Sequence, residues 1–154
     1  MRVSDILAAG GVVVQPVWQT FEDAVGGLVE TLVAHGQIAE DLAEPAVRAI
    51  CQREEMSSTT IVEINARIPH ARLAGVDGVV AALAVSTTSV YSAQAGIPIS
   101  IMALVLSSPE LAGEHLQLLA RLSMLLQSET VRHELRHAPD SRTALAILRR
   151  QEMG

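Results

Sequence analysis

Aromatic side chains are almost absent from this sequence: Trp18, Phe21 and Tyr91 are the only three in 154 residues. The core must therefore be assembled from Ala, Val, Ile and Leu. Stacking platforms of the kind that hold single-stranded nucleic acid are missing. Positive charge is scarce too, with 11 Lys and Arg against 17 Asp and Glu and a formal net charge of −6. A nucleic-acid binder needs a clustered cationic footprint, so that class is excluded. Cys51 is the only cysteine, which rules out an internal disulfide and a cysteine-built zinc site. Beside Val47 and Ile50 it reads as packing. The longest apolar runs, about Val79–Val85 and Ile97–Leu106, fall far short of the ~20 residues of a membrane helix. Ile6–Val14 is interrupted by two glycines and preceded by Asp5. It reads as a strand with its approach rather than as a signal segment. The expectation is a cytoplasmic protein with no direct membrane insertion.

What is present suffices for an ordinary core. An apolar fraction of 49% against 18% charged residues excludes a disordered tail. No repeat, low-complexity tract or long linker divides the chain, so residues 1–154 are read as a single domain. After a short amphipathic start, a strand is expected near Val12–Val14. Thr20 and Asp23 form a capping-box-like pair. Behind them Phe21, Ala24, Val25, Leu28 and Leu32 recur at helical spacing up to a stop at His35-Gly36. A second helix is expected from about Pro45 to Glu54, since proline suits a first turn.

The middle of the chain changes character. Thr59–Ile64 is rich in β-branched residues, and Val79–Val85 and Ile97–Leu106 read as buried strands. Pro109 then opens a long helix to about Gln127, with Leu111, His115, Leu118, Leu119, Leu122, Leu125 and Leu126 on one side. Shorter helices follow at Glu129–Arg136 and Ser141–Arg150. Strands with helices before and after them predict an α/β fold, a mixed β-sheet sandwiched by helices on both faces.

The chemistry centres on Ile68-Pro69-His70-Ala71-Arg72. Pro69 lacks an amide proton and disfavours helix at Ile68, so His70 is expected just past a strand end, at the rim of the sheet. Alone, a rim histidine is more often an ordinary surface residue than a nucleophile. His115 precedes Leu118 and Leu119 by three and four residues. It therefore points inward with the apolar stripe, either as a buried histidine satisfied by the backbone or as a partner of His70. No third ligand accompanies the two histidines at sensible spacing, so no metal site is expected. No Gly-x-Ser-x-Gly elbow exists for a serine hydrolase. His35, His133 and His137 fall at helix ends or polar faces and read as solvated.

Two blocks tie these residues together. The first runs Arg53-Glu54-Glu55-Met56-Ser57-Ser58-Thr59 and, about a dozen residues on, Ile68-Pro69-His70-Ala71. The second runs from Gly96-Ile97-Pro98 through a strand to Pro109 and His115-Leu116-Gln117-Leu118-Leu119-Ala120. In order and separation they resemble the type-2 enzyme IIA domains of the bacterial phosphotransferase system, the fructose/mannitol/nitrogen-related family. The terminal pattern, Val131 to Leu135 and then Asp140-Ser141 before an apolar helix, is similar as well.

The resemblance implies a phosphoryl carrier that needs no cofactor. His70 would be the phospho-acceptor, His115 and Arg53 its neighbours, and Ser58, Thr59 and Thr60 sources of hydroxyls for the phosphate. It implies phosphorylated HPr as donor and an enzyme IIB partner as acceptor. The alternative is a regulatory, nitrogen-related module whose His70 phosphorylation state selects the protein it binds. One segment departs from the family. Where a Gly-Ile-Gly-Asn-Gly type of sequence is usual, this chain has Thr60 to Arg67 without a glycine and with an extra residue. The loss removes ready access to positive φ, and Arg67 is expected to bring an additional positive charge near His70.

Overall fold

The computed structural model describes residues 1–92 and 96–153. Its centre is an antiparallel pair, β5 (Val79–Val85) and β6 (Ile101–Ser107), aligned from Val79 opposite Ser107 to Val85 opposite Ile101. β1 (Val12–Val14) lies parallel to β5 on one side. On the other side of β6 run β3 (Ala66–Arg67) and β4 (His70–Arg72), both parallel to it, with β2 (Thr60–Ile61) pairing outside β3. β3 pairs Ala66 with Ile101 and β4 pairs His70 with Val105, which is one unbroken register. Ile68-Pro69 thus interrupts a single strand. Pro69 has no N–H to give the ladder, yet its carbonyl still accepts from Val105 N at 3.0 Å. His70 therefore opens a resumed edge strand instead of lying beyond a strand end as the sequence suggested.

Successive strand residues face opposite sides, and here both sides are covered. Ala81, Leu83, Val85, Ile101, Ala103 and Val105 pack with α1 (Val3–Gly10), α4 (Ala112–Leu125), α5 (Glu129–Arg136) and α6 (Ser141–Met153). Val80, Ala82, Ala84, Met102, Leu104 and Leu106 pack with α2 (Phe21–Ala34) and α3 (Ala43–Met56). This is the expected α/β architecture, a mixed sheet between helical layers. Double coverage explains why the two central strands are continuous apolar runs instead of alternating ones. Small strand residues let helices come close. A Cβ added to Gly10 at the end of α1 would lie 1.7 Å from the carbonyl oxygen of Ala81. No helix among the described residues is long and apolar enough to cross a membrane.

Several boundaries moved, each for a local reason. The start of α2 is the expected capping box, with Asp23 N donating to Thr20 Oγ1 at 3.0 Å and Thr20 N to Asp23 Oδ2 at 3.2 Å. The residues before Val12–Val14 are helical, forming α1. α3 begins at Ala43, two residues before Pro45. The β-branched run Thr59–Ile64 is a strand only at Thr60–Ile61; Val62–Ile64 make a 3-10 turn that ends at Asn65 with φ 51° and ψ 41°. Asparagine tolerates this left-handed conformation, so it supplies the positive φ that the missing glycines would have given. β6 begins at Ile101 rather than Ile97, because Ile99 N and Ser100 N are spent on Ser89 Oγ and the Asn65 carbonyl. Pro109 sits in a turn closed by Leu111 N on the Ser108 carbonyl at 3.1 Å, and α4 starts after it. Cys51 is half-buried against the α2/α3 core, and burial raises its thiol pKa, the state of an unreactive side chain.

Leu122 is buried on α4, whereas Leu119, expected beside it in the core, is half-buried. Chemical denaturation of Leu122→Ala is expected to show a loss of about 2–5 kcal/mol. Leu119→Ala is expected to lose about 1 kcal/mol, since less apolar area leaves water there. Equal losses would contradict this packing.

Candidate functional site

β4 is an edge strand whose side chains alternate. Ala71 enters the α2/α3 core, so His70 and Arg72 emerge on the other side, where the sheet edge meets both helical layers. A cleft of about 780 Å³ opens there. His70 and Arg72 line it from β4, Arg53 and Met56 from α3, and His115, Leu116 and Leu119 from α4. The rings of His70 and His115 meet edge-on, with centroids 5.4 Å apart at 62°. Residues distant in sequence converge because α3 leads into the interrupted strand and α4 follows β6, the strand that holds β4.

His70 is held by a very local bond: its Nδ1 lies 2.8 Å from the Ile68 carbonyl oxygen. A carbonyl only accepts, so Nδ1 must carry the proton. In the neutral ring Nε2 is then the nitrogen with a free lone pair. His115 occupies the first turn of α4 and is only 5% exposed. Its Nδ1 lies 2.5 Å from the hydroxyl oxygen of Ser107, a fully buried residue at the end of β6. Burial first, then charge on His70 and on Arg72, pushes its pKa from 6.5 to about 4. Near neutral pH it is an uncharged imidazole.

Arg53, in the last turn of α3, donates through Nη1 to the Ser57 carbonyl at 3.2 Å. Among the described residues it forms no ion pair. The cleft thus carries two guanidiniums, Arg53 and Arg72, and no carboxylate lines it. Arg72 was missed in the sequence, although its place two residues after His70 on a strand gives it the same face.

Ser58, Thr59 and Thr60 do not line the cleft. The hydroxyls of Ser58 and Thr60 bond each other at 3.0 Å and face a separate depression beside Phe21, Arg67 and Tyr91. Thr59 is turned onto Glu54, donating through Oγ1 at 2.7 Å and through its backbone N at 2.6 Å. Arg67 is accounted for in the same place. It pairs with Glu54 (Nη2 to Oε2, 3.1 Å), donates to the Tyr91 hydroxyl at 2.6 Å and lies 3.6 Å over the Phe21 ring. Its charge is compensated, so it adds no free cation beside His70. His35, His133 and His137 are exposed. Among the described residues no group of three or more His, Cys, Asp or Glu is placed to hold a metal ion.

A profile of the family described as "Phosphoenolpyruvate-dependent sugar phosphotransferase system, EIIA 2" matches residues 5–151. The chain belongs to this EIIA 2 family. It is 27% identical over 153 residues to the PTS system fructose-specific EIIABC component of Bacillus subtilis (strain 168), covering 99% of this chain and 24% of that protein. It therefore spans about a quarter of the length of that curated relative. The fold is similar to that of nitrogen regulatory protein IIA-Ntr from Neisseria meningitidis, with a TM-score of 0.74, 22% identity and coverage of 95% and 98% of the two chains. It is also similar to a chain in the complex of enzyme IIA-mannitol and phosphorylated enzyme IIB-mannitol from Escherichia coli, with a TM-score of 0.70, 18% identity and coverage of 92% and 95%.

In this EIIA 2 chain the depressed pKa of His115 makes stability depend on pH. The folded chain accepts that proton only near pH 4, whereas the unfolded chain accepts it near its ordinary value of 6.5. Stability from this group is therefore complete above about pH 6.5 and declines as pH falls towards 4, by roughly 2 kcal/mol. Denaturant midpoints of wild type and His115→Gln, compared at pH 7 and pH 4.5, should diverge, the wild type losing more on acidification. Parallel losses would mean that His115 takes up its proton without penalty.

Proposed function

We propose that this EIIA 2 chain is a cytoplasmic phosphoryl carrier that takes phosphate onto His70 from phosphorylated HPr and passes it to an enzyme IIB partner. The observation that carries the reading is the cleft itself, in which a histidine with its Nδ1 proton tied to a carbonyl faces a second imidazole and two guanidiniums, with no carboxylate opposing an anion. The residues act without metal or organic cofactor. Nε2 of His70 attacks phosphorus, and a nitrogen–phosphorus bond forms as the bond to the donor breaks. The proton stays on Nδ1 throughout, donated in a hydrogen bond to the Ile68 carbonyl. Charge in the loose transition state gathers on the equatorial oxygens. Arg53 and Arg72 can meet those oxygens as fixed cations, and His115 adds a hydrogen bond. Reversal of the same step onto a partner nucleophile unloads the carrier.

Protein donors and acceptors need a surface as well as a site. Met56 and Leu116, at the rim of the cleft on α3 and α4, are 84% and 66% exposed. They flank His70 from both helical layers and offer apolar anchors to a partner. Ser58, Thr59 and Thr60 contribute by fixing the chain between α3 and β2.

With phosphoenolpyruvate, enzyme I and HPr, the wild-type chain is expected to gain an acid-labile phosphate that His70→Ala does not gain. Labelling of His70→Ala at the wild-type level contradicts the reading. His115→Ala should label on His70 about 10 to 100 times more slowly, the loss of a hydrogen bond worth roughly 1.5–3 kcal/mol to a charged group. Leu116→Asp should slow loading from HPr by about tenfold without altering the fold. A loaded chain that no IIB domain can discharge would instead support the regulatory role.

A further inference from the structure

Two imidazoles of the same chemistry meet in the cleft, and phosphoryl transfer asks opposite things of them. His70 must present a lone pair, and on the proposed reading His115 must present an N–H. We infer that Ser107 is the positioning residue that makes this division: its hydroxyl donates to Nδ1 of His115 and so keeps that ring's proton on Nε2. The inference rests on the phosphoryl-carrier reading and adds to it the group that decides how His115 can act.

The argument starts from burial. Ser107 has no exposed surface, and among the described residues its hydroxyl has one hydrogen-bond partner, His115 Nδ1 at 2.5 Å. A buried hydroxyl proton without an acceptor is a costly orphan. If Nδ1 carried the proton, Ser107 could only accept, its own O–H would point at nothing, and Nε2 would offer a lone pair to an anion. If Ser107 donates, both hydroxyl and ring are satisfied, and Nε2–H remains for the phosphoryl oxygens. His115 has to be neutral for the choice to exist, and its burial keeps it so.

Ser107 is also well placed to be rigid. It is the last residue of β6, paired with Arg72, and its carbonyl accepts from Leu73 N at 2.9 Å. Val105, two residues earlier on the same face, pairs with His70. One strand thus carries the orienter of His115 and sets the height of His70. The orienter of His70 is the Ile68 carbonyl, which must accept, and the orienter of His115 is a hydroxyl, which can donate. Opposite partners give opposite tautomers.

The test begins on the wild-type chain, labelled with nitrogen-15 histidine at pH 7. A two-bond proton–nitrogen correlation should show His115 protonated at Nε2 and His70 at Nδ1. His115 protonated at Nδ1 overturns the inference whatever the activity. Ser107→Ala should then shift His115 towards a mixture of tautomers. It should slow the labelling of His70 by limiting phosphorylated HPr about tenfold, and add nothing further in the His115→Ala background. Ser107→Thr, which keeps the hydroxyl, should recover most of the rate. If His115→Ala is slow while folded Ser107→Ala labels at the wild-type rate, the role of Ser107 is refuted and that of His115 stands. If both label at the wild-type rate, His115 does not assist transfer and both ideas are overturned.

Discussion

Strand β6 is the member on which both the fold and the site depend. It exchanges backbone hydrogen bonds with β5 on one side and with β3 and β4 on the other, and its residues enter both hydrophobic cores. Because β4 continues the register of β3 across Pro69, the height of His70 is fixed by β6 rather than by its own short strand. Three residues of an edge strand make few bonds of their own. Held to a fully buried strand, they carry a histidine whose position is set to within the tolerance of a sheet. The proline costs one ladder bond and leaves Ile68 with a carbonyl turned to the ring of His70.

The charges around the site are sorted with similar economy. Glu54 and Arg53 are neighbours on α3, and an acidic group in the cleft would oppose an anionic ligand. Glu54 is instead buried and bound by Thr59 and Arg67, while Arg53 remains on the cleft wall. Burying an ion pair carries a large desolvation cost and is poor evidence for added stability. Its effect here is geometric. It ties the turn after α3 to β3 and draws in Tyr91 and Phe21, two of the three aromatics in the chain. This knot occupies the region where the family's glycine-rich segment is usual. Asn65 provides the left-handed residue in the hairpin between β2 and β3.

Much of this was legible before any coordinates, for identifiable reasons. Val79–Val85 was placed to the residue, since a strand buried on both faces has few polar positions to blur it. The inward turn of His115 followed from its spacing to Leu118 and Leu119. The pairing of Thr20 with Asp23 is a local code. What escaped depended on side-chain partnerships that helical and strand periodicity do not encode. The family resemblance puts Ser58, Thr59 and Thr60 at the phosphate, but their hydroxyls meet Glu54 and one another. Arg67 was read as a free charge because nothing local shows that Glu54 and Tyr91 will meet it. Arg72 could have been found from strand alternation alone. Ser107 could not, because β6 was read one residue short and its partner lies on the following helix.

On the proposed phosphoryl-carrier reading the Ile68 carbonyl, by accepting the Nδ1 proton of His70 in a hydrogen bond, makes Nε2 the nitrogen that takes the phosphate. The direct measurement is a phosphorus–nitrogen correlation on the loaded chain with nitrogen-15 histidine. A phosphorus bonded to Nε2 of His70, with Nδ1 still protonated, is the predicted result. A phosphorus on Nδ1 of His70, or on His115, would contradict it.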